Sequence, residues 1–169
     1  MLRDLDPTRP QVILELGSGT GPLTEMISRR MHPESTFLSV EVDKELYEIA
    51  AARCPNTDIA HASVEFLPDL LADRNLDQVD LFLSCLPTPS LPQPINKVVF
   101  ETWKRMSTNG VFTQITQIPW WFMPLYKRAF RTVTMDLVML NPPPGGVYHC
   151  SDLYEDFDSA VRLPGKAAA

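Results

Sequence analysis

Short apolar runs alternate along this chain with stretches whose apolar residues recur at helical spacing. The run at about 11–16 predicts a strand, and 22–31 places Leu23, Met26, Ile27 and Met31 on one helical face. A second strand is expected at about 36–42 (TFLSVEV), then a helix at about 44–54 with Leu46, Ile49 and Ala50 inward. Asp43 is a good N-cap for that helix. A third strand near 57–62, a short helix near 65–73 and a fourth strand at 79–84 (VDLFLS) follow. Pro87, Pro89, Pro92 and Pro94 then hold an extended loop, because proline fixes φ and disfavours helix before it. The next helix, about 94–107, turns Ile95, Val98, Val99, Trp103 and Met106 to the core, and Asn109-Gly110 ends it. VFTQIT is the fifth strand, and after the aromatic segment 119–126 two more strands near 130–140 and 146–150 form a hairpin across 141–146. Alternating strands and helices predict an α/β fold: a mostly parallel sheet with a C-terminal β-hairpin and helices on both faces. One domain is expected over 1–150, with 151–169 as a partly unordered tail.

Composition narrows the setting. A chain of 169 residues suits one domain with one substantial core. No apolar run reaches the roughly 18–20 residues of a membrane span, and MLRDLDPTRP is too polar for a secretory signal. Cys54, Cys85 and Cys150 form no pairing pattern, which points to a reducing, cytoplasmic setting. His32, His61 and His149 are scattered, so no metal site is expected. The net charge of −6 argues against broad nucleic-acid binding, yet residues 81–131 carry six basic residues and one acid. Within that stretch PWWFMPLY precedes Lys127, Arg128 and Arg131. Trp120 and Trp121 beside Lys127 and Arg128 suit a membrane interface or a lipid headgroup as well as they suit a packed helix edge.

The chemistry concentrates at VILELGSGTG, residues 12–21. An apolar strand ends in Glu15, and Gly17, Gly19 and Gly21 then lead straight into a helix. Glycines in such a turn let a ligand approach the backbone. A dinucleotide fingerprint would need its third glycine at position 22, which is Pro22. The spacing here is E-x-G-x-G-x-G and resembles motif I of the class I S-adenosylmethionine (SAM)-dependent methyltransferases. Glu41, 20 residues after Gly21 at a strand end, is placed to accept hydrogen bonds from ribose hydroxyls, with Val42 beside it. Glu15 has two readings: it meets the SAM ammonium through water or loop amides, or it orders the glycine loop.

The resemblance extends along most of the chain, toward the bacterial phospholipid N-methyltransferases. It runs through the glycine motif, Glu41, the Ser84-Cys85-Leu86-Pro87 loop with Pro92, VFTQIT, and MDLVMLNPPPGGVYHC. It implies a Rossmann-like seven-stranded methyltransferase sheet, with SAM as cofactor and S-adenosylhomocysteine as product. It assigns Gly17, Ser18, Gly19 and Gly21 to the cofactor loop, and Ser63, where an acid is common, with Val64 to adenine. Ser84 closes the cofactor side, backbone carbonyls near Cys85 and Leu86 orient the acceptor nitrogen while Pro87 stiffens the loop, and Tyr148 adds a hydroxyl or a ring face. Cys85 suits packing better than nucleophilic work, since no His or Asp pattern supports it. The acceptor implied is an amine such as a phosphatidylethanolamine-type headgroup, handled by a cytoplasmic protein with peripheral membrane contact, in homodimeric form.

A second resemblance, to the ribosomal RNA adenine dimethylases, shares the glycine motif and the V-E-x-D strand. It fails at Ser84–Thr88, where that family carries Asn-Leu-Pro-Tyr. A SAM-binding module without catalysis is a third reading, supported by Ser63. Relatives usually place helices ahead of the first strand. Almost nothing precedes it here, so that cover is expected from a partner subunit or a longer N-terminus, or is absent.

Overall fold

The computed structural model describes residues 1–87, 91–107, 109–139 and 144–155. In chain order the elements are β1 (Val12–Leu16), α1 (Pro22–Arg30), β2 (Thr36–Glu41), α2 (Lys44–Arg53), β3 (Asp58–His61), a 3-10 turn (Val64–Phe66), α3 (Leu67–Ala72) and β4 (Leu81–Ser84). There follow α4 (Gln93–Met106), β5 (Val111–Thr116), α5 (Pro119–Ala129), β6 (Phe130–Val138) and β7 (Gly145–Leu153). The strands make one seven-stranded sheet in the order β3-β2-β1-β4-β5-β7-β6. β3, β2, β1, β4 and β5 pair in parallel, and β7 runs antiparallel between β5 and β6. The carboxyl ends of β1, β2, β4 and β5 therefore share one edge, where ligands bind in sheets of this kind.

Side-chain alternation assigns the two faces. One face carries Leu14, Leu16, Leu38, Val40, Phe82 and Phe112 against α3, α4 and α5. At its centre Phe82, Phe100, Trp103, Phe112 and Phe130 form a continuous aromatic cluster with ring centroids 4.8–6.4 Å apart. The other face carries Ile13, Phe37, Leu81 and Leu83 against Leu23 and Ile27 of α1, and against Met1, Leu2 and Leu5 of the N-terminal segment. That segment is tied to the hairpin. His149 of β7 binds the Asp4 carboxylate through Nδ1, and its Nε2 lies 3.1 Å from Asp136 of β6. Asp80, just ahead of β4, accepts from the Val12 amide at 2.7 Å and so closes the opposite end of the sheet.

Several local expectations change. The helix expected near 65–73 is split into the 3-10 turn and α3, with Ser63 accepting from the Glu65 amide at the start of the turn. Met26 and Ile49, expected inward, are exposed, because α1 buries only Leu23, Thr24 and Ile27 and α2 only Ala50. On α4 the buried set also includes Asn96, Phe100 and Thr102. The segment 119–126 is helical. Pro119 occupies the first turn, where a missing N–H is harmless, and Pro124 sits on the exposed side, where water can serve the carbonyl it leaves unpaired. The domain boundary expected after residue 150 falls inside β7; of the hairpin connection expected at 141–146, residues 141–143 lie outside the described residues and Gly145 and Gly146 already belong to β7.

Phe112 is fully buried and touches four of the cluster's rings. Phe112→Ala is expected to destabilise the fold by about 3–5 kcal/mol, read as a lower denaturation midpoint with an unchanged m-value. A loss below 1 kcal/mol would show that the cluster collapses around the gap.

Candidate functional site

The glycine turn is built as its sequence requires. Gly17, Gly19 and Gly21 all lie at positive φ, 81°, 55° and 83°. The Gly17 amide extends the parallel ladder by donating to Val40, and the Gly21 amide folds back to Ser18. Each glycine meets a different neighbour. A Cβ on Gly17 would stand 2.9 Å from Leu86 Cδ2, and one on Gly21 would stand 3.1 Å from Ala50 Cα on α2. A Cβ on Gly19 would meet nothing within 4 Å. The middle glycine thus faces open space at the strand ends, and the outer two pack against protein.

Glu41 closes this space from β2. It is buried, its Oε2 accepts from the Gly19 amide at 2.8 Å, and its Oε1 is shared by the Val42 and Asp43 amides at 2.9 and 3.0 Å. With two lone pairs per oxygen, Oε2 keeps one for a sugar hydroxyl. Asp43 caps α2 through the Glu45 and Leu46 amides, as expected. Val42 is exposed beside this edge, next to the His61 and Tyr47 rings, which stack at 5.1 Å. Val64 is buried in the core under the same edge. The Ser63 hydroxyl accepts from the Glu65 amide at 3.3 Å and keeps its proton to donate.

Glu15 lies wholly inside. Its Oε2 accepts from Thr24 of α1 at 2.6 Å and from Ser39 of β2 at 2.7 Å. It therefore ties together the two strands and the helix that the glycine turn joins. Its Oε1 and the Ser18 hydroxyl, both buried, have no hydrogen-bond partner among the described residues. An open glycine cradle, a ribose-ready carboxylate and two buried oxygens needing partners fit a nucleoside cofactor that carries an ammonium group. Desolvation pushes the Glu15 carboxyl up to about 7; the Ser39 and Thr24 hydrogen bonds oppose the rise and the Glu41 charge adds to it.

The β4 loop adjoins the glycine turn. The Cys85 amide donates to the Leu16 carbonyl at 2.9 Å, holding the β4 loop beside the end of β1. Beyond it opens a cavity of about 410 Å³, lined by Cys85, Leu86, Pro87, Gln114, Phe122 and Tyr126 together with residues 115–118. The three loop residues expected there are present. Ser84 is buried in β4, below the opening. Burial pushes the Cys85 thiol up to about 12, so it stays protonated and neutral. Tyr148 stands behind the cavity. It is fully buried, its hydroxyl donates to the Pro119 carbonyl, and its ring lies 4.6 Å from that of Tyr126. Tyr126 and Phe122 thus present the aromatic faces first sought in Tyr148.

Gln114 was not singled out by sequence. Its buried side-chain amide donates to the Leu86 carbonyl at 2.7 Å and to the Ile115 carbonyl at 2.8 Å, fastening the β4 loop to β5. Nothing in VFTQIT marks one residue of a strand as a clamp. A signal did exist for the others: Ile118, Phe122 and Tyr126 recur every fourth residue, the spacing of one helical face.

A carboxyl that releases its proton near 4.5 unfolded and near 7 folded binds more protons in the folded state. Its stabilising effect is complete below the lower value and is lost as pH rises through the upper one. Glu15→Gln is therefore expected to gain on the parent by up to about 3 kcal/mol between about pH 4.5 and 7.5, measured by denaturant titration at several pH values. A pH-independent difference would mean that Glu15 is ionised throughout.

Comparison with known proteins agrees with this geometry. Residues 1–69 match the model of the protein-L-isoaspartate(D-aspartate) O-methyltransferase family. Over 160 residues the chain is 33% identical to an ornithine lipid N-methyltransferase of Singulisphaera acidiphila, covering 92% of this chain and 83% of that protein. Among solved structures, the O-methyltransferase TomG of Streptomyces achromogenes, in complex with SAM, has a TM-score of 0.63 at 15% identity over 84% of this chain and 73% of its own. Aeropyrum pernix fibrillarin with bound SAM has a TM-score of 0.62 at 15% identity over 86% and 69%. These distant structures show the seven-stranded Rossmann-like fold, and the nearer relative shows the family. The chain is a class I SAM-dependent methyltransferase and belongs to the family that includes the ornithine lipid N-methyltransferase of S. acidiphila.

Proposed function

We propose that the chain methylates the nitrogen of a lipid-borne amine, of the ornithine-lipid or phosphatidylethanolamine kind, at the cavity beyond β4 and β5. The observation that carries this reading is the cavity itself. It touches the cofactor turn through Leu86 against Gly17, and every described residue lining it is uncharged. Kinship with the ornithine lipid enzyme supports a lipid acceptor. The exposed Trp120 and Trp121, with Lys127 and Arg128 further along the same helix, suit peripheral contact with a lipid surface.

SAM, when bound, supplies a methyl group on a sulfonium, open to in-line displacement by a nitrogen lone pair. The chain's own part is placement and desolvation. Gln114 fixes the Leu86 and Ile115 carbonyls, and the Cys85 amide fixes the loop to β1. A neutral lining disfavours an ammonium, so the acceptor sheds its proton to water before it is enclosed. Phe122 and Tyr126 offer ring faces to the positive charge that a methylated nitrogen acquires, an attraction of roughly 0.5–2 kcal/mol.

Calorimetric titration of SAM is expected to show Glu41→Gln binding roughly ten- to hundred-fold more weakly, the scale of a lost charged hydrogen bond. Gly19→Val, which fills the open cradle at a left-handed position, is expected to abolish binding. In a radiolabelled methyl-transfer assay, ornithine lipid and phosphatidylethanolamine in micelles should accept label and free ornithine should not. Tight SAM binding with no transfer to either lipid would count against a lipid acceptor. Cys85→Ala should turn over within a few-fold of the parent, whereas complete loss would give the thiol a part in the chemistry.

A further inference from the structure

We infer that the edge of the sheet around the cavity mouth is a bilayer-docking rim, formed by the start of α5 and the end of β6, which seats the protein on anionic lipid with the cavity facing the headgroups. This rests on the lipid-acceptor reading and adds the surface and its orientation. Three observations converge. The first is exposure: Ile118, Trp120 and Trp121 are 56%, 65% and 78% exposed, and Leu137, Val138 and Met139 are 45%, 41% and 68% exposed. Scattered exposed apolar residues are ordinary, but two such groups side by side are not.

The second observation is topology. Thr116 at the end of β5 pairs with Gly146, which pairs in turn with Leu137. Pro119, at the start of α5, packs so closely on Gly146 that a Cβ there would stand 2.5 Å from Pro119 Cβ. Segments about twenty residues apart in sequence therefore meet at one end of the sheet. It is the end that holds the cavity, since Ile115 and Ile118 both line it and are exposed.

Charge is the third. α5 runs back from this edge, so Lys127 and Arg128 stand about 10 Å behind the tryptophans at 1.5 Å per residue. Aromatic residues ahead of cations match the depth order of an interface, with rings at the acyl boundary and cations at the phosphates. The acid nearest the rim, Asp136, is paired with Arg3 at 3.2 Å. A second copy of the chain seated on this rim would shut the cavity, whereas a bilayer delivers a headgroup into it.

The test uses the full chain and vesicles of phosphatidylcholine with or without phosphatidylglycerol, read by co-sedimentation and tryptophan emission. The parent is expected to bind the anionic vesicles, more weakly in high salt. The double variant Trp120→Ser/Trp121→Ser should bind about ten-fold more weakly or worse, and Met139→Ser should also weaken binding. Lys127→Glu/Arg128→Glu should lose the preference for anionic lipid. Ile49→Ser, which removes an exposed apolar residue on α2, should bind as the parent does. The inference is overturned if the parent ignores vesicles, if the rim variants bind unchanged, or if these variants instead dissolve a dimer. A parent that methylates ornithine lipid in micelles yet ignores vesicles would refute the rim and leave the proposed function standing. Rim-dependent binding without methylation of any amine lipid would sustain the rim and remove the proposed function.

Discussion

The close approach of Gly17 to Leu86 organises both halves of the site. The bare Cα of Gly17 leaves room for the Leu86 side chain of the β4 loop to settle on the β1 turn, and its positive φ, which a side chain would strain, sends the chain on toward Gly19 and α1. The open glycine cradle and the proposed acceptor cavity are two sides of one contact. Hydrogen bonds hold each side: Gly17 to Val40 under the cradle, Cys85 to Leu16 under the loop, and Gln114 to Leu86 across the cavity. Glu15 anchors the arrangement from within, at the cost of burying a carboxyl group with one oxygen unpartnered among the described residues.

The two faces of the sheet serve this contact unequally. Closely packed aromatic rings, including Phe82, Phe112 and Phe130, span β4, β5 and β6 and make a stiff support for α4 and the end of α5. The position of α5 is then set at both ends, by Phe130 in the cluster and by Pro119 over Gly146, with Tyr148 bonded to the Pro119 carbonyl between them. A helix so fixed turns Phe122 and Tyr126 into the cavity and leaves Trp120 and Trp121 outside. The opposite face is covered beside α1 by the N-terminal segment, held through Asp4 and His149.

What could be read from sequence was local and chemically constrained. The glycine turn, Glu41 and the Asp43 cap each depend on a few neighbouring residues whose type the backbone dictates, and the structure places them together. Periodicity gave the order of the strands but overstated burial at Met26 and Ile49, because a short helix lying on a sheet buries a narrower stripe than its apolar residues span. The sequence leaves 119–126 open between a lipid-facing stretch and a packed helix edge; it is a helix, with Pro119 in its first turn and Pro124 facing solvent. Gln114 was invisible for a different reason. Its meaning lies in two carbonyls, one of them 28 residues away, and no local pattern carries that information.

The same distinction bears on the chemistry. Burial leaves Cys85 a neutral thiol, and the described side chains that line the cavity carry no formal charge themselves. Glu15, whose charge acts on Cys85, is buried and held by Thr24 and Ser39. Such a site has little means of moving protons by side-chain relay, and it needs little. The proposed amine acceptor gives its proton to water before it is enclosed, and methyl transfer asks for alignment more than for acid or base. On the proposed reading, catalysis rests on rigid backbone: three left-handed glycines on one side, and on the other a loop whose Leu86 carbonyl is pinned by a buried glutamine.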